Sequence, residues 1–339
     1  MIKQIIQSVF LVLLGLIVSL GLIEILFRIA YRAPAKWNDR PFAYYKAEDS
    51  PTSQSYPYLK TKPENIFRIA VVGDSYTFAP YMQFTDAFPA RLEQMLNLNK
   101  DVRQVEVINY GVPAYSTSHE VATVERALKE DADFVLLQIT LNDPEIKPYR
   151  PVGITEFNRF GALQLGPRLG WLVSYWRSLG YVLNRLHNSK THREYKQYFF
   201  ELFENPKGFK KFKDSLVKIY KLCSDRKVGM GAVVFPLFGE PVDDNYPFTP
   251  LHKIVGETLG ELGVVTLDLL PTYTGVPIDR LQVIPGGDRH PNEIAHRMAA
   301  ESIYRWLISN KLIPEEFKIR NLYSDRTRIV NEPLYEGEY

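Results

Sequence analysis

Two kinds of apolar pattern divide the chain. Residues 4–23 carry no charge, and the aliphatic run from Val9 to Ile23 predicts a helix about long enough to cross a bilayer core. Beyond it, short runs rich in Ile and Val recur at 66–73, 104–110, 133–140, 228–235 and 264–270. They lack strict alternation, as strands buried on both faces do. Between them the apolar positions fall at helical spacing. Phe88, Leu92, Met95 and Leu96 predict a helix over 86–98 with Asp86 as its cap, and Val121, Val124 and Leu128 predict another over 117–129. Further helices are expected around 251–262 and 291–310. Strands alternating with helices predict an α/β fold, a parallel sheet of about five strands covered on both faces.

The apolar N-terminal run is longer than a usual signal-peptide core, and Glu24, Arg28 and Arg32 stand before the small-residue site Ala33-Pro34-Ala35. An uncleaved anchor over 1–32 is therefore expected rather than a removed leader. Prolines 34, 41, 51, 57 and 63 mark 33–65 as an irregular linker. The folded domain is expected over 66–314, with an insertion at about 144–227 and a tail at 315–339. Some eighty residues between the third and fourth strands exceed what one crossover helix needs. From 185 to 227 this insertion holds twelve Lys or Arg against five Asp or Glu. It reads either as a cap over the sheet edge that docks anionic lipid or acidic polymer, or as ordinary amphipathic helices with a solvated basic face.

With 339 residues, 45% of them hydrophobic, the chain is not disordered by composition. A net charge of +2 gives no reason to expect a nucleic-acid partner. The single cysteine, Cys223, excludes an internal disulfide and a cysteine-rich metal site. The histidines at 119, 187, 192, 252 and 296 show no convincing metal-ligand spacing, so neither a metal nor an organic cofactor is expected. His296 reads as a packing histidine.

The first strand stops at Gly73-Asp74-Ser75, which places Ser75 at the carboxyl edge of a parallel sheet, where ligands bind. The same residues could simply cap the next helix. Three more short stretches lie at strand ends or before the last helix: Asn109-Tyr110-Gly111, Leu141-Asn142-Asp143 and Gly287-Asp288-Arg289-His290-Pro291-Asn292. In this order, on this strand pattern, the four blocks resemble the SGNH hydrolases, the esterase and lipase superfamily also called GDSL. The anchor followed by Gly-Asp-Ser-Tyr-Thr-Phe is similar to its membrane-anchored bacterial members.

That resemblance implies a flavodoxin-like three-layer sandwich preceded by one transmembrane helix, and a serine esterase working through an acyl-enzyme. Ser75 would be the nucleophile, His290 its base and Asp288 the carboxylate that orients the imidazole. The oxyanion hole would comprise the Ser75 and Gly111 backbone N–H groups and the Asn142 side chain. Two positions depart from the family pattern. The acid stands two places before the histidine, with Gly287 where the family usually has it, and Thr140 replaces the glycine of a Gly-x-Asn-Asp block. Asp74 and Asp143 are expected to accept hydrogen bonds from turn amides. The implied substrate is an acylated carbohydrate or lipid, met by an extracytoplasmic domain. The alternatives are an O-acyltransferase acting on envelope polysaccharide and a catalytically silent subunit that binds a membrane-protein partner.

Overall fold

The computed structural model describes residues 2–30, 58–80, 82–98, 104–146, 167–283, 285 and 289–317. Of the expected linker over 33–65 only residues from 58 onward are described, and of the tail over 315–339 only those up to 317. Two compact units divide the chain, one formed by 1–43 with 149–201 and the other by 44–148 with 202–339.

The larger unit is built on five parallel strands, β1 (Phe67–Gly73), β2 (Val105–Gly111), β3 (Phe134–Ile139), β4 (Gly229–Val234) and β5 (Val265–Asp268), in the order β2-β1-β3-β4-β5. This is the doubly wound arrangement expected from the sequence. Every residue of β1, β2 and β3 is buried, which explains their lack of alternation. The chain goes from β1 to one side and later returns to the other, so the strand order reverses at β1, the place where such sheets bind ligands.

Helices α3 (Phe88–Leu96) and α4 (Thr117–Lys129) follow β1 and β2. Asp86 does not cap α3. Ala87 holds that position, and Asp86 sits in the preceding tight turn, paired with Arg91 at 2.6 Å. In the smaller unit α1 (Ile2–Ala30) precedes the sheet, and the excursion after β3 contains α5 (Pro167–Tyr175) and α6 (Arg177–Glu204). Helix α7 (Pro206–Asp225) belongs to the sheet's unit and packs on α4 and β4. It is a crossover helix between the parallel strands β3 and β4, and within the expected insertion residues 149–201 fall in the smaller unit. Helix α8 (Thr249–Glu261), the short α9 (Leu270–Tyr273) and α10 (Glu293–Ser309) complete the unit, with α10 packed on α3.

One charged residue lies inside the sheet. Arg68 is fully buried, and its guanidinium donates to Glu106 at 2.8 and 3.0 Å, to the carbonyls of Leu59 and Lys60, and to that of Glu130. A buried charge is tolerable only when so fully bonded.

Within the smaller unit, Glu24 near the end of α1 accepts the N–H groups of Arg177 and Ser178 at 3.0 and 2.8 Å. It therefore caps α6 from another helix. Arg28 donates to Glu24 at 2.7 Å and to the Tyr175 carbonyl at 2.5 Å, and the Phe27 and Tyr181 rings meet at 5.4 Å.

Candidate active site

Ser75 opens α2 (Ser75–Phe78), one turn of helix at the end of β1. Asp74 caps that turn, accepting the Tyr76 N–H at 2.8 Å, so both readings of the Asp-Ser pair hold at once. A second brace comes from β3. The Gln138 Oε1 accepts the Asp74 N–H at 3.1 Å, the Thr77 N–H at 3.2 Å and the Thr77 hydroxyl at 2.8 Å. Gln138 belongs to none of the four sequence blocks, although an amide inside an otherwise apolar, wholly buried strand is itself a signal of a buried polar demand.

A third brace comes from β2. Asn109 donates to the Thr77 carbonyl at 2.7 Å and accepts the Gly111 N–H at 2.8 Å. The Gly111 N–H thus has Asn109 as its partner, and its expected part in the oxyanion hole would require that bond to be shared or released. Gly111 also meets a steric requirement. A Cβ at Gly111 would stand 2.3 Å from the Phe78 nitrogen, so only glycine lets β2 approach α2 this closely.

The histidine arrives from a different part of the chain. The His290 carbonyl accepts the Val283 N–H at 2.9 Å, and Pro291 pairs antiparallel with Gln282. Asn292 then caps α10, accepting from Ile294 at 3.0 Å and Ala295 at 3.1 Å while donating to the carbonyls of Arg280 and Gln282. Held at this junction, the His290 Nε2 lies 3.0 Å from the Ser75 Oγ. The Tyr76 ring stands 5.8 Å from the imidazole and stacks on Phe238 at 6.1 Å. Asp288 and Gly287 lie outside the described residues.

After β3 the chain turns back on itself. Asp143 accepts the Thr140 N–H at 2.8 Å, and the Thr140 Oγ1 is 2.8 Å from Asp74 Oδ2 and also within hydrogen-bonding distance of Asn142 Oδ1. Thr140 therefore links Asp74, beside Ser75, to Asn142. Asp74, Asp143 and Glu120 are all buried. Burial pushes the Asp74 carboxyl up despite its bond from Tyr76. The carboxyls of Asp143 and Glu120 are pushed well up, by burial first and then by neighbouring carboxyls.

The other described histidines serve packing and caps. His296 is buried, accepts the Phe88 N–H at 3.2 Å and is driven down to about 3 by burial, so it stays neutral. His252 bonds Asp268 at 2.9 Å, and His119 closes a capping box with Ser116. The side chains of His187 and His192 are not among those described. No group of three or more His, Cys, Asp or Glu suited to a metal occurs among the described residues.

No protein-family model matches the chain, and no curated relative matches it. Solved structures similar to it include a protein described as lipolytic, of the G-D-S-L family, from Desulfitobacterium hafniense DCB-2. It is 14% identical with a TM-score of 0.42, covering 71% of this chain and 99% of that one. Axe2, an acetylxylan esterase from Geobacillus stearothermophilus, is 13% identical with a TM-score of 0.43, over 72% of this chain and 96% of its own. LAE5, an α/β hydrolase enzyme from the metagenome of Lake Arreo, Spain, is 15% identical with a TM-score of 0.41, over 71% and 94%. Identities of this size assign no residue its role, so the roles at this edge rest on the contacts between Ser75, His290 and their braces.

Proposed function

We propose that the chain is a membrane-anchored serine esterase acting through an acyl-enzyme. The observation that carries this reading is the 3.0 Å contact between Ser75 Oγ and His290 Nε2 at the reversal point of the sheet. As Oγ attacks the ester carbonyl carbon, Nε2 takes its proton, and the same proton passes to the departing alcohol. A water molecule then gives its proton to Nε2 and attacks the acyl-enzyme, releasing the acid and restoring Ser75. The Ser75 backbone N–H and the Asn142 amide are assigned to the developing oxyanion. Asp288 is assigned to the imidazole's other nitrogen, on its chain position and the chemistry such a base needs.

Helix α1 is the proposed anchor. Its 29 residues span about 43 Å at 1.5 Å per residue, more than a bilayer core of about 30 Å. Its aliphatic side chains are exposed along the apolar run, as lipid-facing groups would be. Glu24 and Arg28 tie the α5–α6 elbow to the end of that run, beside exposed Trp171, Tyr175 and Tyr181. Aromatic residues at this level suit the membrane–water interface. An esterase tethered in this way would meet carbohydrate or lipid esters near the bilayer, on the extracytoplasmic side.

The test is labelling of the full chain with a fluorophosphonate, together with turnover of a chromogenic short-chain acetate. Label on Ser75, with label and turnover both lost in Ser75→Ala, is the expected result. Modification elsewhere, or turnover indifferent to Ser75→Ala, would overturn the assignment.

A further inference from the structure

The Thr140 hydroxyl has one hydrogen but two neighbouring oxygens that ordinarily accept. Asp74 Oδ2 is 2.8 Å away, and Asn142 Oδ1 is in hydrogen-bonding contact. One hydrogen cannot serve both well. The conflict has two resolutions. Asp74 can carry a proton and donate it to Thr140, which then donates to Asn142 Oδ1. Otherwise Asp74 is ionised, Thr140 donates to it, and the Asn142 amide must turn over to offer its nitrogen. The two resolutions present opposite ends of that amide to the space away from Thr140. Only the first leaves Nδ2 available to an oxyanion.

We propose that Thr140 is a positioning residue, passing a hydrogen bond from an un-ionised Asp74 to Asn142 Oδ1 so that Asn142 Nδ2 serves the oxyanion. The inference rests on the esterase reading of the site. Several groups bear on the Asp74 proton. Asp143, after β3, and Glu120, on α4, are buried carboxyls whose negative charge is repelled by that of Asp74, and a protonated His290 would favour the ionised form of Asp74. Asp74 itself is 2% exposed; the Tyr76 N–H, Thr140, His290 and Gln138 favour its charge, but burial outweighs them. Its raised pKa agrees with the geometry.

A consequence is an alkaline limb in kcat that belongs to Asp74. On ionisation, Thr140 is recruited to the carboxylate and Asn142 turns its acceptor to the site.

The test uses the full chain, with kcat and KM for 4-nitrophenyl acetate measured against pH. Thr140→Val is expected to lower kcat about 10- to 100-fold, part of what a lost oxyanion donor costs, with KM within about twofold. Thr140→Ser, which keeps the hydroxyl, should recover most of the loss. In an Asn142→Ala background Thr140→Val should cost nothing more, because its effect runs through that amide. Asp74→Asn, whose amide donates to Thr140 at every pH, should abolish the alkaline fall in kcat. Should Thr140→Val fail to fold, Thr140→Ser and the shape of the Asp74→Asn profile still decide. An undiminished kcat in folded Thr140→Val, a full loss in the Asn142→Ala background, no recovery with Thr140→Ser, or an alkaline fall that persists in Asp74→Asn would each overturn the relay. Turnover that does not depend on Ser75 would instead overturn the esterase reading beneath it.

Discussion

His290 Nε2 and Ser75 Oγ stand 3.0 Å apart although 215 positions separate the two residues in the chain. Neither side chain creates that distance. Ser75 is fixed by β1 and by the braces from Gln138 and Asn109, and His290 by the antiparallel pairing of Pro291 with Gln282. Removing the base should therefore leave the scaffold intact. His290→Ala is expected to melt within a few degrees of the wild type while losing about a thousandfold or more in kcat on a chromogenic acetate. A folded variant that keeps its turnover would show that another group takes the Ser75 proton.

Asn292 tests the other half of this arrangement. Its side chain makes four hydrogen bonds, two to the first turn of α10 and two to the carbonyls beside His290's partner strand. Asn292→Ala should cost about 1–2 kcal/mol as a lost cap. It should also lower kcat, because the residue two before it moves. Chemical denaturation and turnover on one sample measure both. Loss of stability with kcat unchanged would mean that His290 is held without Asn292.

Gly111→Ala tests the close approach of β2 to α2. The added methyl would press on the backbone of α2, with the Phe78 nitrogen at 2.3 Å and the Thr77 carbonyl carbon at 2.7 Å, and no rotamer relieves a backbone clash. A cost of about 1–3 kcal/mol is expected, with turnover falling as Ser75 is displaced. Thermal melting and kcat read the two effects, and a variant as stable and active as the wild type would refute the close approach.

Glu120 makes a prediction about pH. Burial first, then Asp143 and Asp74, hold its carboxyl well above the usual value of 4.5. Through the interval between that value and the folded one, the folded protein keeps a proton that the unfolded chain has lost. Stability therefore falls as pH rises across the interval, by about 1.4 kcal/mol per pH unit for each such proton, and is unaffected below it. Glu120→Gln should melt higher than the wild type at pH 8, and the gap should close towards pH 4. A gap independent of pH would show that Glu120 keeps its ordinary ionisation.

Membrane orientation can be settled on intact spheroplasts. The larger unit is expected to be cut by added protease, as an external control is. Survival until the membrane is broken would place it in the cytoplasm.

The sheet was legible because β1, β2 and β3 are buried on both faces, so their apolar runs carried a signal free of competing demands. Ser75 was legible for a related reason: its position follows from where β1 ends. The braces were not. Gln138 and Asn109 sit within strands, and nothing local says that their amides satisfy α2 rather than each other. The tight contact at Gly111 was hidden because a glycine at a strand end suits an exposed amide as well, and only the position of Phe78 shows the close approach. Thr140 looked like a weakened motif. Its hydroxyl gains meaning only from Asp74, 66 positions earlier in the chain. The division between α6 and α7 was hidden because both are helical and rich in basic residues.

Arg68 has a practical bearing on where the chain can be cut. Its guanidinium takes two of its acceptors from the carbonyls of Leu59 and Lys60, while Lys62 pairs with Asp133 and the Tyr58 hydroxyl reaches Glu130 at 3.0 Å. A soluble form trimmed to the first residue of β1 would keep every strand and the Arg68–Glu106 pair, yet take two carbonyl acceptors from a buried guanidinium, at a cost of about 1–3 kcal/mol for each donor left without a partner. A form that begins ahead of Tyr58 keeps those acceptors, so the boundary for soluble expression falls about nine residues before the first strand, on the count from Tyr58 to Phe67.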